Sequence, residues 1–144
     1  MAAAARIPKP LSPQAHRRFD LLALPGMVAA AFWMSRRDPP AAAVMLGIAA
    51  VEGTALLTTD YPPPAVLPWM DFGQHVRTAN LHGGLIAALA LLVPGIQPRH
   101  RPLLLGFAAV PLVLNALSDT RRGVQERRAV QYSGDRPSRS ALAS

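Results

Sequence analysis

The chain contains no cysteine, which excludes disulfide cross-links, thiolate nucleophiles and cysteine-ligated iron–sulfur clusters. Charge is scarce as well. Only 16% of its 144 residues are charged against 51% hydrophobic, an unusual balance for a water-soluble domain. A glycine-rich nucleotide loop, a nucleophile elbow and a zinc-protease helix are all missing, so no catalytic residue and no metal set is assigned and no cofactor is identifiable. The apolar stretches also lack a polar face at helical period, which weighs against a soluble bundle of amphipathic helices.

What the chain does have is four stretches nearly free of charge: Phe19 to Met34, Ala41 to Thr59, Leu81 to Ile96 and Pro102 to Ser118. Each approaches the ~20 residues needed to cross a ~30 Å hydrocarbon core. Flanking arginines can snorkel to cover the shortfall. The expected fold class is an all-α membrane protein with four transmembrane helices. Proline and glycine punctuate them: Pro25-Gly26 and Pro111 predict kinks, Arg36 to Pro40 and Gln97 to Arg101 form turns, and Pro62 to Pro64 forbid helix in the central connector.

The halves of the chain echo each other. Leu46 to Val51, LGIAAV, returns 59 positions later as Leu105 to Val110, LGFAAV. Sliding residues 16–60 onto 75–119 gives 12 identities in 45 ungapped positions, among them His16/His75, Arg18/Arg77 and Asp60/Asp119. This ungapped register marks an internal duplication. The chain is therefore divided into a flexible tail (1–15), a four-helix domain (16–119, with repeats 16–60 and 75–119) and a basic flexible tail (120–144). Duplication of the first stretch also argues against its being a cleaved signal peptide. Because each repeat crosses twice, the two hairpins enter in the same direction, related by a pseudo-two-fold axis along the membrane normal. The matched stripes Ala43, Gly47, Ala50 and Pro102, Gly106, Ala109 place small residues on one face of helices 2 and 4, which predicts their contact near the axis.

Basic residues set the orientation. Ten lie in the two tails and four in the two opposite turns, leaving out Arg77 within helix 3, so both termini are expected in the cytoplasm. The net charge of +7 is chiefly this topology signal, with attraction of the tails to anionic lipid as a secondary effect. Arginines confined to tails and flanks, without a recognition motif, do not suggest nucleic-acid binding.

Several short motifs, Thr59-Asp60-Tyr61 ending helix 2, Leu67-Pro68-Trp69 in the connector, and His75 opening a helix that closes at Pro94-Gly95, resemble the SPW-repeat-like group of small bacterial four-helix membrane proteins. The likeness covers roughly residues 18–118, and Val93-Pro94-Gly95 stands where that group carries Ser-Pro-Trp. It implies a four-helix fold in the bacterial inner membrane and no particular activity.

An ionisable group inside a membrane is costly, so each needs a partner or a purpose. Residues present in both repeats read as scaffold that anchors helix ends. Glu52, Asn80, His82 and Asn115 have no polar counterpart, being matched by Pro111, Leu21, Ala23 and Leu56. With Arg77 they form the candidate polar pocket, open to the cytoplasmic side. Glu52 is expected to pair with Arg77, which descends from the same inner connector. His75 and His82, two turns apart at ~10.5 Å, are too far apart to share one metal ion. His16 and His75, as symmetry mates facing across the axis, are the candidate ligand or cofactor residues, and His100 is expected to be a solvated turn residue. The expected function is that of a non-enzymatic membrane protein, self-associating or an accessory subunit of a larger membrane complex. The alternatives are a haem- or quinone-binding redox protein, or a small transporter using Glu52 and His82.

Overall fold

Serine before proline starts the first helix earlier than the apolar pattern does. Ser12 Oγ accepts from the Ala15 N–H at 3.2 Å, and Pro13 fills the first helical position, where a missing N–H costs nothing. In the computed structural model, which describes residues 9–61 and 66–121, the helices are α1 (Pro13–Ser35), α2 (Pro39–Thr58), α3 (Phe72–Leu92) and α4 (Arg101–Leu117). Among the described residues the fold is all-helical, with no strand. α1 packs along α2 and α3 along α4, and α2 joins the two hairpins by touching both α3 and α4.

The same punctuation recurs in the second half. Asp71 caps α3 by accepting from the Gln74 N–H at 2.8 Å, while the Gln74 side chain accepts from the Asp71 N–H, closing a capping box. Asp71 and Gln74 stand 59 positions after Ser12 and Ala15. Asp38, followed by Pro39, caps α2 by accepting from the Ala41 N–H. The turn between α3 and α4 reverses at Gly95, whose φ of 84° favours glycine. Both α1 and α4 continue through their internal prolines, Pro25 and Pro111.

The offset of 59 also governs the tertiary contacts. Leu11 pairs with Ser118 in an isolated parallel bridge, and Met70 pairs with Thr59 in its counterpart. The Leu11 N–H donates to Leu117 O and the Asp119 N–H donates to Leu11 O; the Met70 N–H donates to Thr58 O and the Asp60 N–H donates to Met70 O. Each repeat thus holds the end of the other. These bonds tie Leu11 into the bundle, five residues before the expected boundary at 16. Of the expected N-terminal tail, 11–15 are bridge and helix, and the rest of both tails lies outside the described residues apart from the segments at 9–10 and 120–121.

The core joins Met27, Ala31 and Met34 of α1 to Ala41, Met45, Ile48 and Ala49 of α2, Ile86 and Ala90 of α3, and Leu104 and Ala108 of α4. A glycine faces a leucine in each hairpin. Leu24 lies over Gly53 in the first and Leu112 over Gly83 in the second. Since 24 matches 83 and 53 matches 112, the large and small partners are exchanged between the repeats. The tightest approach is at Gly83, where an added Cβ would stand 2.8 Å from Ala108 O.

The expected small-residue seam is not where helices meet. Ala43, Gly47, Ala50, Pro102, Gly106 and Ala109 are all exposed, and nothing lies within 4 Å of a Cβ placed at Gly47 or Gly106. Burying Met45, Ile48 and Ala49 turns that stripe outward, and the contact of α2 with α4 is narrow. Among the described residues one helix, Pro39–Thr58, qualifies by length and composition to cross a membrane, and 39% of its apolar window is buried within the bundle. α4 is apolar but shorter.

Candidate functional site

Duplication and the exchanged helix ends bring the two matched histidines together. His16 enters on the first turn of α1 and His75 on the first turn of α3, and their rings meet edge to face with centroids 5.4 Å apart. Both are 1% exposed. Buried imidazoles must satisfy their ring nitrogens, and the residues that end the opposite helices do so. His16 Nδ1 lies 2.7 Å from Ser118 Oγ after α4, and His75 Nδ1 lies 2.9 Å from Thr59 Oγ1 after α2. Ser118 and Thr59 are themselves 59 positions apart.

Asp20 breaks the symmetry. One turn beyond His16, its Oδ2 lies 3.5 Å from the Nε2 of both histidines and accepts from the Tyr61 hydroxyl at 3.1 Å. The matching position in the second repeat is Ala79, which leaves room for a single carboxylate between two imidazoles. Phe72 and Tyr61 wall the cluster, with Phe72 edge-on to His16 and tilted against Tyr61. Arg17 lies over the Tyr61 ring.

His16 precedes the apolar stretch that starts at Phe19. Burial pushes its pKa down to about 4; the Asp20 carboxylate pulls the other way and His75 reinforces the lowering. It is therefore neutral at physiological pH. Burial also raises the Tyr61 phenol, and the adjacent Asp20 carboxylate adds to the shift, so Tyr61 remains a hydrogen-bond donor. A cavity of about 20 Å³ adjoins the cluster, lined among others by Asp20, His75, Glu52 and Phe107. It has room for about one water molecule.

The residues expected to form one polar pocket separate into groups. Glu52 faces His82, with Oε1 and Nδ1 3.5 Å apart and neither making a hydrogen bond. Asn115 donates to Val76 O at 3.1 Å and to Asn80 Oδ1 at 2.9 Å, linking α4 to α3. Arg77 is exposed. The inward face of α3 runs Val76, Ala79, Gly83, Ile86, Ala90, so Arg77, one residue past Val76, turns outward and away from Glu52.

At the opposite end of the bundle the turns are locked together. Asp38 Oδ2 accepts from the Gln97 N–H at 2.9 Å and lies 2.8 Å from His100 Nδ1, while the Gln97 side chain donates to Arg37 O at 2.5 Å. Burial opposes ionisation of Asp38, but hydrogen bonds from His100, Gln97 and Ala41 outweigh it and hold the carboxyl below its ordinary value. His100, expected in solvent, is 4% exposed and belongs to this lock.

Asp20, Tyr61 and Ser118 lie outside the candidate residues that the sequence offers. Tyr61, an amphipathic side chain of a type suited to a membrane surface, is instead 1% exposed and bonded to Asp20. Ser118 stands opposite Thr59 in the repeat alignment, and this pairing of two hydroxyls was the available signal for the histidine acceptors.

No family model, curated protein or solved structure matches the chain.

Proposed function

We propose that the chain is a non-enzymatic integral membrane protein with four crossings, its two hairpins related about an axis along the membrane normal and both termini cytoplasmic. It associates with itself or serves as an accessory subunit of a larger membrane complex in the bacterial inner membrane. One observation carries this reading: the bundle is apolar outside and polar at the core of both ends. Leu22 (76%), Phe32 (73%), Leu81 (75%) and Leu92 (78%) are exposed, and Leu46, Leu57, Leu112 and Val113 extend the apolar exterior over α2 and α4. Soluble monomers rarely present contiguous apolar surface on this scale. Meanwhile His16, His75, Thr59, Ser118, Asn115 and Asp38 are buried and hydrogen-bonded. The short motifs shared with SPW-repeat-like proteins support the same reading.

A cysteine-free chain allows a direct test by single introduced cysteines. Ser35→Cys at the end of α1, beside the first turn, should react with an impermeant maleimide on intact spheroplasts, whereas Val66→Cys in the connector should react only after permeabilisation. The protein should also resist carbonate extraction. Release into the carbonate wash, or the reverse labelling pattern, would overturn the placement. Blue-native electrophoresis and cross-linking in native membranes should show a homo-oligomer or a partner complex, and a strictly monomeric species would count against the subunit role.

Among the alternatives, haem or quinone binding gains little, because the cavity beside His16 and His75 is about 20 Å³ and small-molecule pockets run to roughly 300–1,000 Å³. Transport has one specific support. Glu52 lines the cavity and faces His82, giving two adjacent ionisable groups without a hydrogen bond between them. Proteoliposome proton flux abolished by Glu52→Gln would favour that reading, and unchanged flux would end it.

A further inference from the structure

The proton positions in the histidine cluster follow from counting hydroxyl hydrogens. A serine or threonine hydroxyl has one hydrogen to give. Thr59 Oγ1 donates it to Ala55 O at 2.5 Å, and Ser118 Oγ donates it to Leu114 O at 2.7 Å. Each hydroxyl oxygen must therefore accept from its histidine, so Nδ1 carries the proton in both rings. The unshared pairs then lie on Nε2 of His16 and Nε2 of His75. Both point to the same place, 3.5 Å from Asp20 Oδ2.

We propose that His16, Asp20 and His75 bind one divalent first-row transition-metal ion. The three ligand atoms lie within 4.8 Å of one another. Given the two 3.5 Å edges, a point equidistant from all three is at most about 2.4 Å from each, within a few tenths of an ångström of zinc–imidazole and zinc–carboxylate bonds. Two imidazole nitrogens and one carboxylate oxygen suit zinc, cobalt, nickel or iron(II) better than calcium or magnesium, which prefer oxygen throughout.

The surroundings also match what metal sites require. A ligating histidine donates its other ring N–H to a fixed acceptor, which sets its tautomer and raises its basicity. Ser118 and Thr59 play that part here, and Tyr61 donates to the ligating oxygen of Asp20. Three protein ligands leave a coordination position for water, and the adjoining cavity holds about one. The duplication supplies two equivalent imidazoles, and the single-copy Asp20 turns the pair into a chelate. The sequence offers the two histidines as facing symmetry mates, but the third ligand, Asp20, has no counterpart in the second repeat and comes between them only in the folded bundle.

The test uses the full chain, purified in detergent with its affinity tag removed, stripped with EDTA and titrated with Co²⁺ and Zn²⁺ separately. Calorimetry should give one equivalent per chain, and Co²⁺ should acquire visible ligand-field absorption of a nitrogen- and oxygen-ligated ion. Asp20→Asn keeps an acceptor for Tyr61 and is the least disruptive ligand change; it should weaken Co²⁺ binding at least about 100-fold. His75→Gln should do the same. Ser118→Ala, which leaves all three ligands in place, should weaken binding by about 10–100-fold. Absence of saturable Co²⁺ and Zn²⁺ binding would overturn the proposal, as would unchanged affinity in Asp20→Asn. Should His75→Gln fail to fold, Asp20→Asn decides alone. Since the site rests on side-chain geometry, failure here leaves the membrane placement standing, and failure in carbonate extraction leaves the metal site standing.

Discussion

Ser118 accepts from His16 at 2.7 Å while donating to Leu114 O, and Thr59 repeats the arrangement for His75 at the other end of the duplication. Removing either hydroxyl strands a buried imidazole N–H. Ser118→Ala and Thr59→Ala should therefore each destabilise the fold by about 1–3 kcal/mol, and by similar amounts because the sites are equivalent. Thr59→Ser, which keeps the acceptor, should cost less. Unfolding midpoints in detergent without added metal check this. One alanine substitution without effect would show that the two ends are not equivalent in energy.

Gly83 and Gly84 are neighbours on α3 with opposite surroundings. A Cβ at Gly83 meets Ala108 O at 2.8 Å and the Leu112 side chain at 3.2 Å, whereas nothing lies within 4 Å of one at Gly84. Backbone cannot step aside as a flexible side chain does. Gly83→Ala should thus force α3 from α4 at a cost of about 1–3 kcal/mol. Gly84→Ala should be neutral or stabilising by up to about 1 kcal/mol, through reduced chain entropy. Thermal unfolding of the pair reads the contrast directly, and equal midpoints would contradict the close approach.

Much of the fold was legible because proline, glycine and apolar runs act locally. Helix count, turns and the offset of 59 all come from such signals, and so does the juxtaposition of His16 with His75 once the axis is drawn. Phase errors account for most of the rest. In an alanine-rich helix the stripe Ala43, Gly47, Ala50 and the neighbouring face Met45, Ile48, Ala49 are both apolar, so periodicity cannot choose which faces inward; the larger side chains do. Arg77 was misplaced for the same reason. The Asp20 and Tyr61 contacts join residues 41 apart from different elements, and the Asp38 and His100 contact spans 62 positions, so neither has a local signature.

Glu52 and His82 should be energetically coupled, and Glu52 and Arg77 should not. The first pair lies 3.5 Å apart with both side chains largely buried, while Arg77 faces outward. A double-mutant cycle of Glu52→Gln with His82→Gln should give a coupling energy of about 0.5–3 kcal/mol, the range for residues in contact. The cycle with Arg77→Gln should give a value near zero. A larger coupling to Arg77 would restore the pairing that sequence reasoning favoured.

The lock between the α1–α2 and α3–α4 turns should fail in acid. The folded state holds the Asp38 carboxyl below its ordinary value, so it binds fewer protons there than the unfolded chain does, and stability rises with pH through this group. The contribution is complete above the unfolded carboxyl value of about 3.9 and is lost as pH falls through the lower folded value. Asp38→Asn keeps a cap acceptor for the Ala41 N–H but removes the charge, so the stability difference from the parent should shrink as pH drops below about 4. Asp38→Ala also removes the acceptor for Gln97 and His100 and should cost about 2–4 kcal/mol at neutral pH. Denaturation midpoints of parent and Asp38→Asn across that window check the sign. A difference that grows on acidification would mean that the folded state raises this carboxyl, and the lock would then be a burden that the turns carry.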